Sequence, residues 1–248
     1  MTELIENIKQ GNFLSVDTVS INENFAGSDS KELFLKNLKT MPTDWYYRTH
    51  EVNYVINSQG YRTQEFNTID WANSIVMFGC STAFGVGVDN QHTVSYFLSE
   101  LLDKPVINLG VSSTSITYSL HNALILNQYY PTPKAVINLW TEYSRIAYYL
   151  DDKIDNKGSW NEDSFIHEWL RHDSNPATHA VFAQMISHQL WKNKTVYYEA
   201  TFFPTTAELF ECDHLSVFDQ ARDLIHYGRK TNKAIAKHIA NNIIKEFE

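Results

Sequence analysis

The sequence predicts an α/β fold: a parallel sheet with helices on both faces. Three observations predict it. Apolar runs that end in glycine recur at Ile75-Val76-Met77-Phe78-Gly79 and Val106-Ile107-Asn108-Leu109-Gly110, as expected of buried parallel strands that run into loops. Segments of helical spacing alternate with these runs. The composition, 43% apolar and 20% charged over 248 residues, is that of a globular chain long enough for one large core.

The elements follow in order. Ser30 to Leu38 has the pattern of a short amphipathic helix with Ser30 as N-cap, before Pro42 interrupts it. Aromatic and β-branched residues thicken from Trp45 to Arg62, predicting a short strand that turns at Asn57-Ser58-Gln59-Gly60. Residues 1–70 are expected to form an N-terminal extension packed on a main domain of residues 71–248. In that domain, strands are predicted over 75–78, 106–109, 135–139 and 195–200. Helices are predicted over 93–102, 115–128, 180–191 and 230–247. Residues 151–178, rich in Asp, Asn, His and Trp, are expected to form an irregular insertion or lid.

Charge and cysteine usage exclude several classes. A formal charge of −9 opposes nonspecific binding to nucleic acid or anionic membranes, which depends on clustered Lys and Arg. Two cysteines, Cys80 and Cys212, cannot make a disulfide scaffold and are compatible with a reducing compartment. No run approaches the ~18 apolar residues of a membrane helix. The start, Met1-Thr2-Glu3-Leu4-Ile5-Glu6-Asn7, lacks the basic, apolar pattern of a secretion signal. The expectation is a soluble cytoplasmic protein.

In a parallel sheet, reactive groups gather at the carboxyl ends of the strands. That rule selects the loops Gly79–Gly87, Gly110–Ser115 and Trp140–Arg145. The first reads Gly79-Cys80-Ser81-Thr82-Ala83-Phe84-Gly85-Val86-Gly87. Ser81 there is either a nucleophile projecting from the sheet edge or an N-cap between turn glycines. The loop has neither the Gly-Lys-Ser/Thr of a phosphate loop nor the third glycine of a dinucleotide fingerprint. Near the C-terminus stands Asp223-Leu224-Ile225-His226. An acid three residues before a histidine can reach its Nδ1, fix the tautomer and leave Nε2 free as a base.

Together these stretches resemble the SGNH or GDSL-type serine hydrolases. Gly79-Cys80-Ser81-Thr82-Ala83-Phe84-Gly85 is similar to the family's Gly-Asp-Ser block, and Asn108-Leu109-Gly110-Val111-Ser112-Ser113 to its Asn-x-Gly block. Asp223-Leu224-Ile225-His226 matches its terminal Asp-x-x-His, and Asn57-Ser58-Gln59-Gly60-Tyr61-Arg62 is similar to a segment that precedes the nucleophile in some members. The resemblance spans roughly residues 50–245. It implies a flavodoxin-like three-layer α/β/α sandwich, Ser81 as nucleophile, His226 as base and Asp223 as its orienter. It also implies oxyanion donors from the N–H groups of Ser81 and Gly110, with Asn108 in the same block, and no cofactor or metal.

Two positions depart from the family pattern. Cys80 replaces its Asp and reads as a small buried hydrophobe. The family's Gly-x-Asn-Asp block is here Trp140-Thr141-Glu142-Tyr143-Ser144-Arg145. A carboxylate at Glu142 opposes an oxyanion unless it turns to Arg145, leaving Thr141 or nothing as third donor. Losing one such donor costs about 10²–10³ in rate. The chain is therefore expected to hydrolyse a small acyl ester, with an O-acetylated carbohydrate as the favoured substrate. The alternatives are a catalytically weak glycan-binding or structural module and an O-acyltransferase using the same triad.

Other residues have two readings each. Trp140, Tyr143, Tyr148, Tyr149, Trp160, Phe165 and Trp169 either stack on a sugar or pack the insertion. His167 and His172 are one residue too far apart for a zinc helix. Cys212-Asp213-His214 reads as a ligand cluster or a polar loop, and Arg62 as an anion site or half of a salt bridge.

Overall fold

The computed structural model describes residues 3–14, 24–150, 154–162 and 164–246. Helix α1 (Glu3–Lys9) leads to Phe13 and Leu14, which join Trp71, Tyr118 and Leu126 in one core cluster. Helix α2 (Lys31–Thr40) starts where expected, with the Ser30 side chain accepting from the Leu33 N–H. No strand forms between Trp45 and Arg62 among the described residues. A single 3₁₀ turn occupies Tyr46–Arg48, and the chain then runs irregularly to a turn at Asn57–Gly60. The strand expected there is replaced by side-chain anchoring: Arg62 donates to the carbonyls of Asn53, Phe84, Gly85 and Val88. Those four carbonyls, rather than an anion or a carboxylate, are the Arg62 partners.

Strand β1 (Ile75–Gly79) is buried throughout and passes into the one-turn helix α3 (Ser81–Phe84). Gly79 has φ +155°, and a Cβ there would lie 2.7 Å from the Leu139 carbonyl oxygen, so glycine permits this change of direction. Helix α4 (Val94–Leu102), strand β2 (Val106–Asn108), helix α5 (Ile116–Tyr129) and strand β3 (Ala135–Trp140) follow close to the predicted bounds. Thr93 and Ser115 cap α4 and α5 by accepting from the N–H of the third residue of each helix.

The segment expected to be irregular, residues 151–178, forms regular elements among its described residues. It contains strand β5 (Ile154–Lys157), which pairs antiparallel with β4 (Ile146–Tyr149) just before the segment, helix α6 (Ser164–Leu170) and the start of α7 (Ser174–Trp191). Residues 151–153 and 163 of that segment lie outside the described residues. Strand β6 (Val196–Thr201), helix α8 (Pro204–Phe210), strand β7 (Asp213–His214) and helix α9 (Arg229–Ile243) complete the chain. The predicted end of the closing helix at Phe247 lies outside the described residues; α9 gives way to a 3₁₀ turn at Ile244–Glu246.

The main sheet has the order β2-β1-β3-β6-β7, all parallel. One face packs Val76, Phe78 and Val136 against Leu126 of α5 and Trp191 of α7. The other packs Ile75, Met77 and Ile137 against Leu98 of α4 and Ile235 and Ile239 of α9. Side-chain alternation along β1 thus feeds both layers of an α/β/α sandwich. The chain passes from β1 to β2 on one side and then crosses back past β1 to β3 on the other, and this reversal opens a crevice at the strands' carboxyl ends. No helix among the described residues is long and apolar enough to cross a membrane.

Candidate active site

Asp223 and His226 sit on a tight loop closed by the Ala221 N–H to His226 carbonyl hydrogen bond of 2.9 Å. Leu224, at φ +59°, lets the chain reverse within it. Asp223 Oδ1 accepts from the N–H groups of Ile225 (3.1 Å) and His226 (3.0 Å), and Oδ2 accepts from His226 Nδ1 at 2.6 Å. A proton on Nδ1 leaves Nε2 as the ring's acceptor. Burial alone would raise the Asp223 carboxyl, but His226 and the two N–H groups hold it below its usual range.

A cavity of about 300 Å³ lies beside this pair, lined by Ser28, Ser81, Ser112, Ser113, Arg145, Trp160, Ile225 and His226. It is small for a ligand site and suits a compact molecule. Ser81 reaches it from the start of α3, while the Asp223–His226 loop closes the opposite end of the sequence onto it. Among the described residues, no hydrogen bond joins Ser81 Oγ to His226; the Ser81 hydroxyl has the Cys80 sulfur at 3.8 Å.

On the second loop, Gly110 and Asn108 bond to each other and to α3. The Gly110 N–H donates to Asn108 Oδ1 at 2.9 Å, and Asn108 Nδ2 donates to the Ala83 carbonyl at 2.7 Å. Both residues are buried, and a Cβ on Gly110 would come within 2.5 Å of the Ala83 Cβ. They lock β2 against α3. The residues of this loop that line the cavity are Ser112 and Ser113, the latter at φ +64°.

On the third loop, Glu142 turns to Arg145, with Oε2 3.8 Å from Nε. Thr141 is buried, and its carbonyl accepts from Thr206 Oγ1 at 3.4 Å. Neither Thr141 nor Glu142 lines the cavity; Arg145 does. Its Nη1 donates to Cys80 Sγ at 2.9 Å and to the Thr114 carbonyl at 3.4 Å. Cys80 is therefore buried but partnered by a cation. Burial raises its thiol, yet Arg145 and hydrogen bonds from Ser81 and Thr141 outweigh that and bring it below the usual thiol range.

Of the aromatic side chains on and after the third strand, Trp160 alone among the described residues lines the cavity. β5 carries it there: Asn156 Oδ1 accepts from the Ser115 N–H at 3.1 Å, pinning the hairpin to the start of α5. Trp140 packs on Phe210, Tyr148 on Phe165, and Trp169 on His179. Asp213 of the Cys212-Asp213-His214 stretch accepts from Tyr198 and His238, away from the cavity.

Ser28 is the site residue that the sequence did not disclose. Its Oγ donates to Asp223 Oδ2 at 3.0 Å and lies 3.4 Å from His226 Nδ1. The segment around it is tied down by Asp29, which accepts two hydrogen bonds from Arg222 and one from the Tyr54 hydroxyl. No local pattern near Ser28 signals this role, because its partners lie almost 200 positions later in the chain.

No family model and no curated protein matches this sequence. Solved structures with a similar arrangement do occur. A G-D-S-L family protein from Desulfitobacterium hafniense DCB-2 matches at TM-score 0.45 and 12% identity, over 68% of this chain and 98% of that one. A carbohydrate esterase whose active site shows divergent catalytic and non-catalytic binding functions matches at TM-score 0.41 and 11% identity, over 72% and 67%. AlinE4, an SGNH-hydrolase family esterase, matches at TM-score 0.35 and 14% identity, over 73% and 100%. What the cavity can do follows from its own residues and distances.

Proposed function

We propose that this protein is a serine hydrolase that cleaves a small acyl ester, with Ser81 as nucleophile, His226 as general base and Asp223 as the carboxylate that orients it. The observation that carries this reading is the 2.6 Å Asp223–His226 hydrogen bond, with His226 and Ser81 on the wall of one small cavity. His226 takes the Ser81 proton as the hydroxyl attacks the ester carbonyl, and the alcohol leaves with that proton. Water, deprotonated by His226, then releases the acid from the acyl-enzyme. Hydrogen bonds between nucleophile and base are often long until substrate binds, so the open Ser81–His226 geometry is compatible with this sequence of steps. Trp160, with a flat and half-exposed ring at the rim, favours a carbohydrate alcohol over a long lipid chain.

The test is p-nitrophenyl acetate hydrolysis and fluorophosphonate labelling of the wild type and Ser81→Ala. Labelling at Ser81 is expected, with turnover reduced toward background by up to about 10⁶-fold in the variant. Equal rates in the two proteins sink the proposal. A second reading, a binding module without catalysis, is favoured by the absent Ser81–His226 contact; unlabelled Ser81 with measurable oligosaccharide binding is its signature.

A further inference from the structure

Arg145 is the only Lys or Arg lining the cavity among the described residues, and its guanidinium is half engaged. Nη1 is used by Cys80 Sγ and the Thr114 carbonyl. Nε is buried without a hydrogen-bond partner, its nearest carboxylate oxygen, from Glu142, standing 3.8 Å away. Nη2 makes no hydrogen bond among the described residues. The group is nonetheless held in place: Trp160 lies 4.8 Å from its carbon and Phe203 5.9 Å. It is also beside the reacting centre, since one sulfur, that of Cys80, lies 2.9 Å from Nη1 and 3.8 Å from Ser81 Oγ.

A fixed, largely desolvated guanidinium whose Nε–Nη2 edge faces only the Glu142 carboxylate, at 3.8 Å and without a hydrogen bond, matches a planar carboxylate that accepts two parallel N–H bonds from that edge. On a chain with formal charge −9 such a cation is a local exception, and it acts at short range. We propose that Arg145 makes this pocket select esters whose alcohol carries a carboxylate close to the acylated hydroxyl, that is, O-acylated acidic sugars over neutral ones. This deepens the hydrolase reading and takes its substrate class from it. In the bound state the carboxylate displaces Glu142 from the Nε–Nη2 edge of Arg145, and the sugar face lies against Trp160.

The test separates recognition from turnover by using Ser81→Ala as the binding protein. Calorimetry compares a mono-O-acetylated glucuronic acid with its methyl ester. The acid is expected to bind at least about tenfold more tightly. Adding Arg145→Gln brings the ratio toward one, Arg145→Lys keeps part of it, and Glu142→Gln raises it by removing the competing carboxylate. A merely structural Arg145 would change both affinities alike and leave the ratio intact. Equal affinity for acid and ester in Ser81→Ala, no binding of either, or an unchanged ratio in Arg145→Gln overturns the proposal. If Arg145→Gln does not fold, the Lys and Glu142→Gln variants decide it by the same ratio. If the wild type turns over no ester yet the ratio holds, the hydrolase reading fails and the anion site stands.

Discussion

Asp29 and Arg222, 193 positions apart, meet in a two-point ion pair with hydrogen bonds of 3.0 and 2.7 Å and side chains only 0% and 3% exposed. The pair joins the segment that carries Ser28 to the loop that carries Asp223 and His226. Removing one partner leaves a buried charge uncompensated, which costs about 3–5 kcal/mol. Asp29→Ala is therefore expected to lower Tm by roughly 10 °C in a domain of this size, measurable by differential scanning fluorimetry. An unchanged Tm would mean that the strap does not hold the fold.

Ser28→Ala removes the hydroxyl donor from Asp223 Oδ2 without touching the Asp223–His226 bond. Asp223 is buried, and a hydrogen bond to a charged group is worth about 1.5–3 kcal/mol, only part of which bears on the transition state. Turnover should fall severalfold with KM nearly unchanged, because Ser28 positions the orienting acid. Ser28→Thr, which keeps the hydroxyl, should restore part of the rate; steady-state kinetics on both variants checks this.

Asp223→Asn is expected to cost about 10⁴ in kcat by favouring the wrong histidine tautomer. It also has a stability signature. The Asp223 carboxyl is held below its ordinary value of 3.8, so its contribution is fully present above that value and is lost as pH falls through the lower folded value. Urea midpoints of wild type and variant should therefore differ most at neutral pH and converge in strong acid. A difference that grows on acidification contradicts the assignment.

The two thiols should ionise far apart. Cys80 is drawn below the usual range, its burial being outweighed by Arg145 and its hydrogen bonds. Cys212 is pushed up to about 12 by burial and by the charges of Glu199 and Asp213. Thiolate absorbance at 240 nm in Cys80→Ala and Cys212→Ala should show the Cys80 thiolate forming first, and at higher pH once Arg145 is replaced.

Gly87 has φ +76°, and a Cβ on it would lie 2.7 Å from the Ala221 Cβ and 3.2 Å from Asp223 Oδ1. Its carbonyl accepts from the Arg222 N–H and its N–H donates to Tyr54. Gly87→Ala therefore presses on the Asp223 loop and should destabilise by roughly 1–3 kcal/mol while reducing turnover. Denaturant unfolding and ester hydrolysis would read the two effects separately.

The sheet and its covering helices were legible in the sequence, and so was the local Asp223–His226 pair. Buried strands such as Ile75–Gly79 announce themselves by an unbroken apolar run, and three-residue spacing brings an acid to an imidazole without help from the rest of the fold. The hairpin β4–β5 and the short strand β7 were not legible. Their residues, such as Ile154-Asp155-Asn156-Lys157, carry no apolar alternation and are held by pairing with neighbours in space.

Contacts between distant parts of the chain were settled only in three dimensions. Ser28 on Asp223, Arg145 on Cys80, and Asn108 on the Ala83 carbonyl depend on where loops meet after the sheet has formed. A sequence pattern encodes period and neighbours along the chain. It does not encode which of several equally polar loop residues ends up facing a cavity, because that choice is made by packing the whole domain at once.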